Sequence, residues 1–216
     1  MKDFILSVDQ STSATKAILF DSTGKIRNRS TMGHQQFYPR PDWVEHDPEE
    51  IYRNTLKVLM QVIREDEPEK DDIAALAITN QRETVLVWNK STGKPVYNAI
   101  VWQCQRGTAT CRMLKEEGHE PMIQAKTGLI IDPYFSATGV KWILDHVDGA
   151  REKARKGDLL MGTVDSWLVW KLTGGKVHAT DYSNARRTML FNIHQGEWDK
   201  DIAELLDIPV SMFPEV

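Results

Sequence analysis

The chain has 216 residues, of which 41% are hydrophobic and 27% are charged, and its formal net charge is -4. This length suits one large domain or one and a half of ordinary size. The acidic balance argues against binding to duplex nucleic acid, and the apolar runs are strand-sized, so we expect neither a nucleic-acid partner nor a membrane span.

The first candidate site is a polar turn between two apolar strands, which we predict at residues 4–9 and 16–20. The connection brings the carboxylate of Asp9 close to the three hydroxyls of residues 11–13. Backbone N–H groups and hydroxyls in a tight turn suit phosphate oxygens, and a neighbouring Asp can hold Mg²⁺. The alternative is an ordinary surface hairpin whose Ser and Thr side chains only satisfy the turn.

A third strand is predicted at residues 26–36, and a helix should begin at Asp47-Pro48. Aspartate is a preferred capping residue, proline suits the first helical position, and acidic residues favour the first turn. We interpret the charged run 65–72 as a solvated link to the next strand. The apolar stripe of this helix is predicted to contain Ile51, Leu56, Leu59, Met60 and Ile63.

Strands and helices then alternate to the end of the chain. The predicted strands cover residues 73–79, 85–88, 100–102 and 159–163, and the predicted helices cover residues 106–117, 135–147, 149–156, 164–172 and 198–206. Cys104 and Cys111 are expected on one helical face, too far apart for a disulfide. The six histidines lack metal-ligand spacing, so no zinc site is expected. The two cysteines without a disulfide are compatible with a reducing cytoplasm, which we expect for this chain.

The second candidate site lies where the predicted strand 73–79 ends, a usual position for ligands in open α/β sheets. The donors of Arg82 and the acceptors of Glu83 together match the vicinal hydroxyls of a polyol. Trp102 and Tyr134 can add an apolar wall and a phenol. The alternative is an exposed ion pair on a loop, which is common and contributes little.

The order of three strands, helix, strand and helix resembles the ribonuclease H-like core of the actin-like ATPases, so we expect an α/β fold of that class. Several segments are similar to the N-terminal domain of the FGGY carbohydrate kinases, nearly from end to end of the chain. They are Asp9-Gln10-Ser11-Thr12-Ser13, Pro41-Asp42-Trp43-Val44-Glu45-His46-Asp47-Pro48, Ile78-Thr79-Asn80-Gln81-Arg82-Glu83-Thr84, Asn98-Ala99-Ile100-Val101-Trp102-Gln103-Cys104, Gly128-Leu129, Asp132-Pro133-Tyr134-Phe135-Ser136, Lys141-Trp142-Ile143-Leu144-Asp145, Gly162-Thr163-Val164-Asp165 and Thr180-Asp181-Tyr182-Ser183-Asn184-Ala185.

Within this family, the segment Asn80-Gln81-Arg82-Glu83 resembles the members that phosphorylate glycerol. The resemblance implies that Arg82, Glu83 and Tyr134 hydrogen-bond the glycerol hydroxyls and that Trp102 packs against its carbon side. The implied reaction transfers the γ-phosphoryl group of ATP to a primary hydroxyl, giving glycerol 3-phosphate. Such a transfer depends mainly on alignment and charge neutralisation.

The resemblance also implies that Thr12 and Ser13 meet the transferred phosphate, with Lys16 adding positive charge. Asp9 would position Mg²⁺ and, with Arg82, would act in the reaction itself. Three residues depart from the usual family pattern, namely Ser11 for Gly, Ala14 for Ser and Lys16 for Arg. A lysine lacks the forked geometry of arginine, and a serine at positive φ would cost about 1 kcal/mol.

We expect residues 1–216 to form an N-terminal FGGY kinase domain that is incomplete at its C-terminal end. The second, nucleotide-binding domain and the general base of the family are expected to lie beyond this chain, so the chain alone should be inactive. A kinase of the same family for another polyol or sugar, and a non-catalytic polyol-binding module, remain open. Family members also form homo-oligomers.

Overall fold

The computed structural model of the protein describes residues 3–66 and 72–216, and the chain divides into two compact units. Unit 1 contains the described residues of Met1–Gln36 and His46–Gln81, and unit 2 contains Phe37–Glu45 and Arg82–Val216. Most of the predicted charged link, residues 65–72, falls outside the described residues.

Unit 1 is built on a four-stranded sheet with the strand order β3-β2-β1-β5. Strand β1 is antiparallel to β2 and parallel to β5. The predicted order of three strands, a helix and a further strand is therefore confirmed, although the third strand ends at Gly33 and not at residue 36. The elements are β1 (Phe4–Gln10), β2 (Ala14–Asp21), β3 (Ile26–Gly33), α1 (Pro48–Asp66) and β5 (Ile73–Asn80).

Helix α1 begins as predicted, because Asp47 Oδ1 accepts a hydrogen bond of 2.8 Å from the backbone N–H of Glu49. Its buried face is shifted from the predicted stripe: Val58 and Val62 are fully buried, whereas Met60 is 47% exposed. Residues 51, 55, 58 and 62 follow helical spacing, so one face packs against the sheet. The core of unit 1 contains Leu6, Val8, Ala17, Leu19, Val58, Leu59 and Val62.

Unit 2 contains a second four-stranded sheet and most of the helices. The strand order of this sheet is β4-β7-β6-β8. The first residue of β4, Glu45, belongs to unit 2. Strands β9 and β10 pair separately as a small hairpin. The elements are β4 (Glu45–His46), β6 (Val85–Asn89), β7 (Ala99–Ile100), α2 (Thr108–Glu116), α3 (Glu120–Thr127), α4 (Ser136–His146), α5 (Ala150–Arg155), β8 (Leu159–Thr163), α6 (Val164–Leu172), α7 (Tyr182–Ala185), β9 (Phe191–Asn192), β10 (Glu197–Trp198) and α8 (Lys200–Leu205), and a short 3-10 helix covers Val210–Met212.

Several predicted boundaries differ from the structure at element ends. The strand predicted at residues 100–102 is β7, which covers only Ala99–Ile100 because residues 102 and 103 form a turn. The helix predicted at residues 198–206 begins two residues later than predicted, after β10. Cys104 precedes α2, so the two cysteines do not share a helix, and both are buried free thiols. Burial raises the pKa of the Cys111 thiol to about 12, which keeps it protonated.

A large apolar core holds unit 2 together, formed by β6, β8 and the helices that cover them. Val85, Val87, Val140 and Ile143 are at most 1% exposed within it. None of the helices in the described residues has both the length and the hydropathy that a membrane span requires.

Candidate functional site

The first site region is the turn of residues 11–13, hereafter the 11–13 turn, which joins β1 to β2. The backbone N–H of Ser11 and its hydroxyl both donate to the carbonyl oxygen of Ala14, each over 2.9 Å. Among the described residues, the non-glycine positions with positive φ are Asp42, Glu83, Met189 and Asp207. Ser11 therefore adopts this turn without the conformational cost considered from the sequence.

Asp9 and Lys16 face each other across the two strands that lead into the 11–13 turn. Lys16 Nζ lies 3.4 Å from Asp9 Oδ2, and the two side chains are 46% and 40% exposed. An exposed pair of this kind is held weakly, so each partner can be recruited by a ligand of opposite charge. Thr12 is half-buried and Ser13 is exposed, at the tip of the same turn.

The carbonyl oxygens of the 11–13 turn are held by side chains from other elements of unit 1. The Thr12 carbonyl contacts His34 Nε2 at 2.8 Å and accepts from Gln36 Nε2 at 3.1 Å. The Ser11 carbonyl accepts from Gln81 Nε2 at 3.4 Å, and the Gln81 backbone N–H donates to the Gln10 carbonyl over 2.6 Å. Because the carbonyls are engaged in this way, the turn has a defined backbone before any ligand binds.

Behind the turn lies a buried histidine that cannot carry charge at neutral pH. Gln81 Nε2 lies 3.3 Å from His46 Nδ1, and the rings of His34 and His46 meet edge to face with centroids 4.7 Å apart. Burial, together with the neighbouring His34, lowers the pKa of His46 to about 3. Burial likewise lowers the pKa of His34. The support of the 11–13 turn is therefore made of neutral groups.

The second site region is a cavity of about 930 Å³ in unit 2, hereafter the Glu83 cavity. Among the described residues that line it, Glu83 is the only carboxylate, beside three arginines. Its lining comprises Arg82, Glu83, Thr127, Gly128, Leu129, Tyr134, Tyr182, Arg186, Arg187, Phe191, Ile193, His194, Gln195 and Gly196. The structure thus brings together three of the four residues predicted to bind a polyol, namely Arg82, Glu83 and Tyr134.

Trp102, the fourth predicted residue, does not line the Glu83 cavity but supports it. Its ring is half-buried and packs edge to face on Tyr134, with centroids 5.4 Å apart. The phenol follows an Asx turn in which Asp132 Oδ1 accepts from the Tyr134 N–H over 2.8 Å. Trp102 therefore contacts Tyr134, while its packing against the carbon side of glycerol stays a prediction.

Glu83 occupies an unusual backbone conformation for a residue with a side chain. Its φ is 66°, in the left-handed region, and its carbonyl oxygen accepts from Ser136 Oγ over 2.9 Å. The residue is 4% exposed, which excludes the alternative of an exposed loop ion pair for its carboxylate. Such strained positions concentrate at functional sites, where surrounding contacts hold a side chain in one direction.

The partner of the Glu83 carboxylate is Arg187, a residue that the sequence analysis missed. Arg187 Nε lies 2.5 Å from Glu83 Oε1, and its guanidinium carbon lies 5.7 Å from the centre of the Tyr134 ring. Burial acts to lower the pKa of Arg187, but the hydrogen bond and charge of Glu83 outweigh it, so the pKa is raised. No local pattern marks Arg187, since it lies 104 residues from Glu83 along the chain.

Comparison with known proteins places the chain in a family. The model of the FGGY family of carbohydrate kinases, N-terminal domain, matches residues 4–216. The chain belongs to this family. A glycerol kinase of Plasmodium falciparum solved with ADP superposes with a TM-score of 0.90 at 35% identity, over 98% of this chain and 42% of that one. The expected ribonuclease H-like, actin-like ATPase fold is thereby confirmed.

Curated relatives of this FGGY chain include Glycerol kinase 1 of Thermotoga maritima, at 57% identity over 213 residues, and a glycerol kinase of Escherichia coli, at 55% over 215 residues. These matches cover 99% and 100% of this chain but 43% of each relative. A xylulose kinase of Lactobacillus acidophilus shares the fold, with a TM-score of 0.88 at 21% identity over 98% of this chain and 41% of that one. The chain thus spans less than half the length of the relatives it matches.

Proposed function

We propose that this chain serves as the N-terminal domain of an ATP-dependent glycerol kinase, which converts glycerol to glycerol 3-phosphate. The observation that carries the proposal is the meeting of Arg82, Glu83 and Tyr134 at one cavity, in a chain 57% identical to a glycerol kinase. The guanidinium supplies donors, the carboxylate supplies acceptors and the phenol can do both, which together match adjacent hydroxyls.

The 11–13 turn is the proposed phosphate-binding element. Thr12 and Ser13 offer hydroxyl and N–H donors, and Lys16 adds a positive charge that is 46% exposed. These groups would hold the phosphate being transferred and neutralise charge as it moves.

Asp9 is the proposed Mg²⁺ residue, and its surroundings fit that role. Its carboxylate is 40% exposed and its ion-pair partner lies at 3.4 Å, so an oxygen remains open to a hydrated cation. Magnesium usually binds one or two carboxylates, several waters and phosphate oxygens. When bound, Mg²⁺ would neutralise phosphate charge, while Asp9 and Arg82 orient the reacting groups.

The proton acceptor for the attacking hydroxyl is not assigned to this chain. Glu83 is the only carboxylate among the described residues of its cavity, and it is engaged by Arg187. We therefore expect the isolated 216-residue chain to be inactive, while the full-length protein turns over. A coupled assay that detects glycerol-dependent ATP consumption by the isolated chain would contradict this assignment.

The size of the Glu83 cavity favours a second candidate, a kinase of the same family for a larger polyol or sugar. Its volume of about 930 Å³ lies near the upper end of the ~300–1,000 Å³ range of small-molecule sites. Phosphorylation of glycerol, erythritol and xylulose by the full-length protein, measured side by side, separates the two. The proposal of glycerol requires that glycerol gives the highest kcat/KM. Binding of one of these polyols by the full-length protein without any phosphorylation would instead favour the non-catalytic polyol-binding module.

A further inference from the structure

We infer that Arg187 is a positioning residue that holds Glu83 and Tyr134 in the arrangement required to bind the polyol. This inference rests on the proposed function of the Glu83 cavity. It concerns a residue outside the segments that suggested the polyol site, and it assigns to that residue a part in polyol recognition.

The first step is that the buried carboxylate of Glu83 requires a partner of opposite charge. A carboxylate that is 4% exposed loses most of its hydration, and Glu83 also has a left-handed backbone conformation that surrounding contacts must stabilise. A buried charge of this kind is tolerated when a partner of opposite charge is hydrogen-bonded to it. Arg187 provides that partner at 2.5 Å, whereas the neighbouring Arg82 is exposed.

The second step is the geometry of the contact. Arg187 Nε donates to Glu83 Oε1, and among the described residues no side chain occupies the other carboxylate oxygen, Oε2, which can therefore accept from a ligand hydroxyl. The Arg187 side chain is also 30% exposed and lines the Glu83 cavity, so a ligand can approach the same pair. The ion pair therefore orients the Glu83 carboxylate while leaving one of its two oxygens to accept a hydrogen bond from a ligand.

The third step links Arg187 to the phenol. Its guanidinium carbon lies 5.7 Å from the centre of the Tyr134 ring and 5.1 Å from that of Phe135. A planar guanidinium can bond a carboxylate at its edge while its face packs against aromatic rings, and a lysine ammonium cannot do both. One side chain thus fixes the separation between the acceptor Glu83 and the phenol Tyr134, which is the feature that would discriminate among polyols.

The test uses the full-length protein and the variant Arg187→Ala, with glycerol and ATP varied separately. Loss of a buried ion-pair partner should raise the KM for glycerol by about 10- to 100-fold. The KM for ATP should stay within about two-fold, since Arg187 lines the Glu83 cavity and no part of the 11–13 turn. The matched control is Arg155→Ala, which removes an exposed arginine–carboxylate pair with Asp207 at 2.7 Å and should leave both KM values unchanged.

Chemical rescue and a conservative variant separate positioning from a merely structural role. Millimolar guanidinium added to Arg187→Ala should lower the KM for glycerol again, and Arg187→Lys should retain part of the affinity. If the alanine variant fails to fold, Arg187→Lys carries the test, and its KM for glycerol should still exceed that of the wild type. In a Glu83→Gln background, Arg187→Ala should add little, because the two residues act as a pair.

Two outcomes overturn the inference: a wild-type KM for glycerol in Arg187→Ala, or fully additive effects of the Glu83 and Arg187 substitutions. A failure of the proposed glycerol kinase function gives a different experimental result. In that case the wild-type protein itself shows no glycerol-dependent consumption of ATP, whatever the variants do.

Discussion

In the 11–13 turn, the contacts that hold the backbone come from neutral side chains: His34, Gln36 and Gln81 reach carbonyl oxygens, and the charged groups stay exposed. In the Glu83 cavity the arrangement is reversed, since the holding contact is the ion pair of the buried Glu83 carboxylate with the partly exposed Arg187. Hydrogen bonds from neutral side chains to the backbone fix the shape of the turn, and a turn of that shape can bind an anion through its N–H groups. The ion pair of Glu83 with Arg187 instead fixes the positions of hydrogen-bond donors and acceptors, which suits a neutral ligand with hydroxyl groups. Substitutions in the two regions should therefore fail in different ways.

The largest effect should follow from Arg82→Ala in the full-length protein. A site built to hydrogen-bond a hydroxyl loses roughly 100-fold or more in kcat/KM when one donor is removed. We expect the KM for glycerol to rise and kcat to fall, as measured by steady-state kinetics. Arg112→Ala, which removes an exposed arginine outside the cavity lining, is the control. Wild-type kinetics in Arg82→Ala would rule out the assigned polyol site.

A substitution behind the 11–13 turn tests the other half of the comparison. Gln81→Ala removes hydrogen bonds to Gln10 Oε1 at 3.0 Å and to the Ser11 carbonyl at 3.4 Å. The Ser11 carbonyl keeps its hydrogen bond from Gln10 Nε2 at 2.9 Å, whereas the buried Gln10 Oε1 loses the donor that Gln81 supplied. This loss should cost about 1–3 kcal/mol of stability, visible as a lower Tm of the full-length protein.

Because Gln81 supports the turn, its loss should also raise the KM for ATP more than the KM for glycerol. A larger rise in the KM for glycerol than in the KM for ATP would contradict the assignment of ATP phosphate binding to the 11–13 turn and of polyol binding to the Glu83 cavity. Asn28→Ala, which removes a side-chain bond to the Val62 carbonyl at 3.2 Å elsewhere in unit 1, is the matched control. It should lower stability without changing the ratio of the two KM values.

The neutral support of the turn also predicts a pH dependence. The pKa of His46 is about 3 in the folded protein, against about 6.5 for an unfolded histidine. Between these values the unfolded chain binds more protons, so stability falls as pH drops below about 7. From pH 7 to pH 5 the loss should be about 2 kcal/mol from this residue.

Thermal unfolding of the full-length protein and of His46→Gln at both pH values isolates this contribution, since His34 and His178, whose pKa values are also lowered by burial, are present in both proteins. The variant should lose less stability on acidification than the wild type. Equal losses in the two proteins would show that His46 is not kept neutral by folding.

The smallest effect should come from Lys16→Arg, which restores the residue usual in the family. The side chain is 46% exposed and its contact with Asp9 is 3.4 Å long, so an exchange of one cation for another alters little. A forked guanidinium should lower the KM for ATP by about two- to five-fold through more directional phosphate contact. A raised KM for ATP would indicate that lysine is required at this turn.

Local features of the chain were predictable because they depend on neighbouring residues. The strands that flank the 11–13 turn, the capping Asp47 and the position of Arg82 after β5 all follow from apolar periodicity and capping preference. Short elements such as β9 and α7 were not predicted, since two to four residues carry too little periodicity to stand out. The boundary errors at β7 and α8 have the same origin.

The amino-acid sequence by itself determined the alternation of strands and helices, the polar turn and the adjacent positions of Arg82 and Glu83 after a strand end. Only the tertiary structure decided which residue forms the ion pair with Glu83, because Arg187 lies 104 residues away along the chain and is brought close by the fold. It also decided that His34 and Gln36 hold the Thr12 carbonyl, across 22 and 24 residues. Periodicity and capping act within a few residues, whereas the partner of a buried charge is chosen by whatever the fold brings within hydrogen-bonding distance.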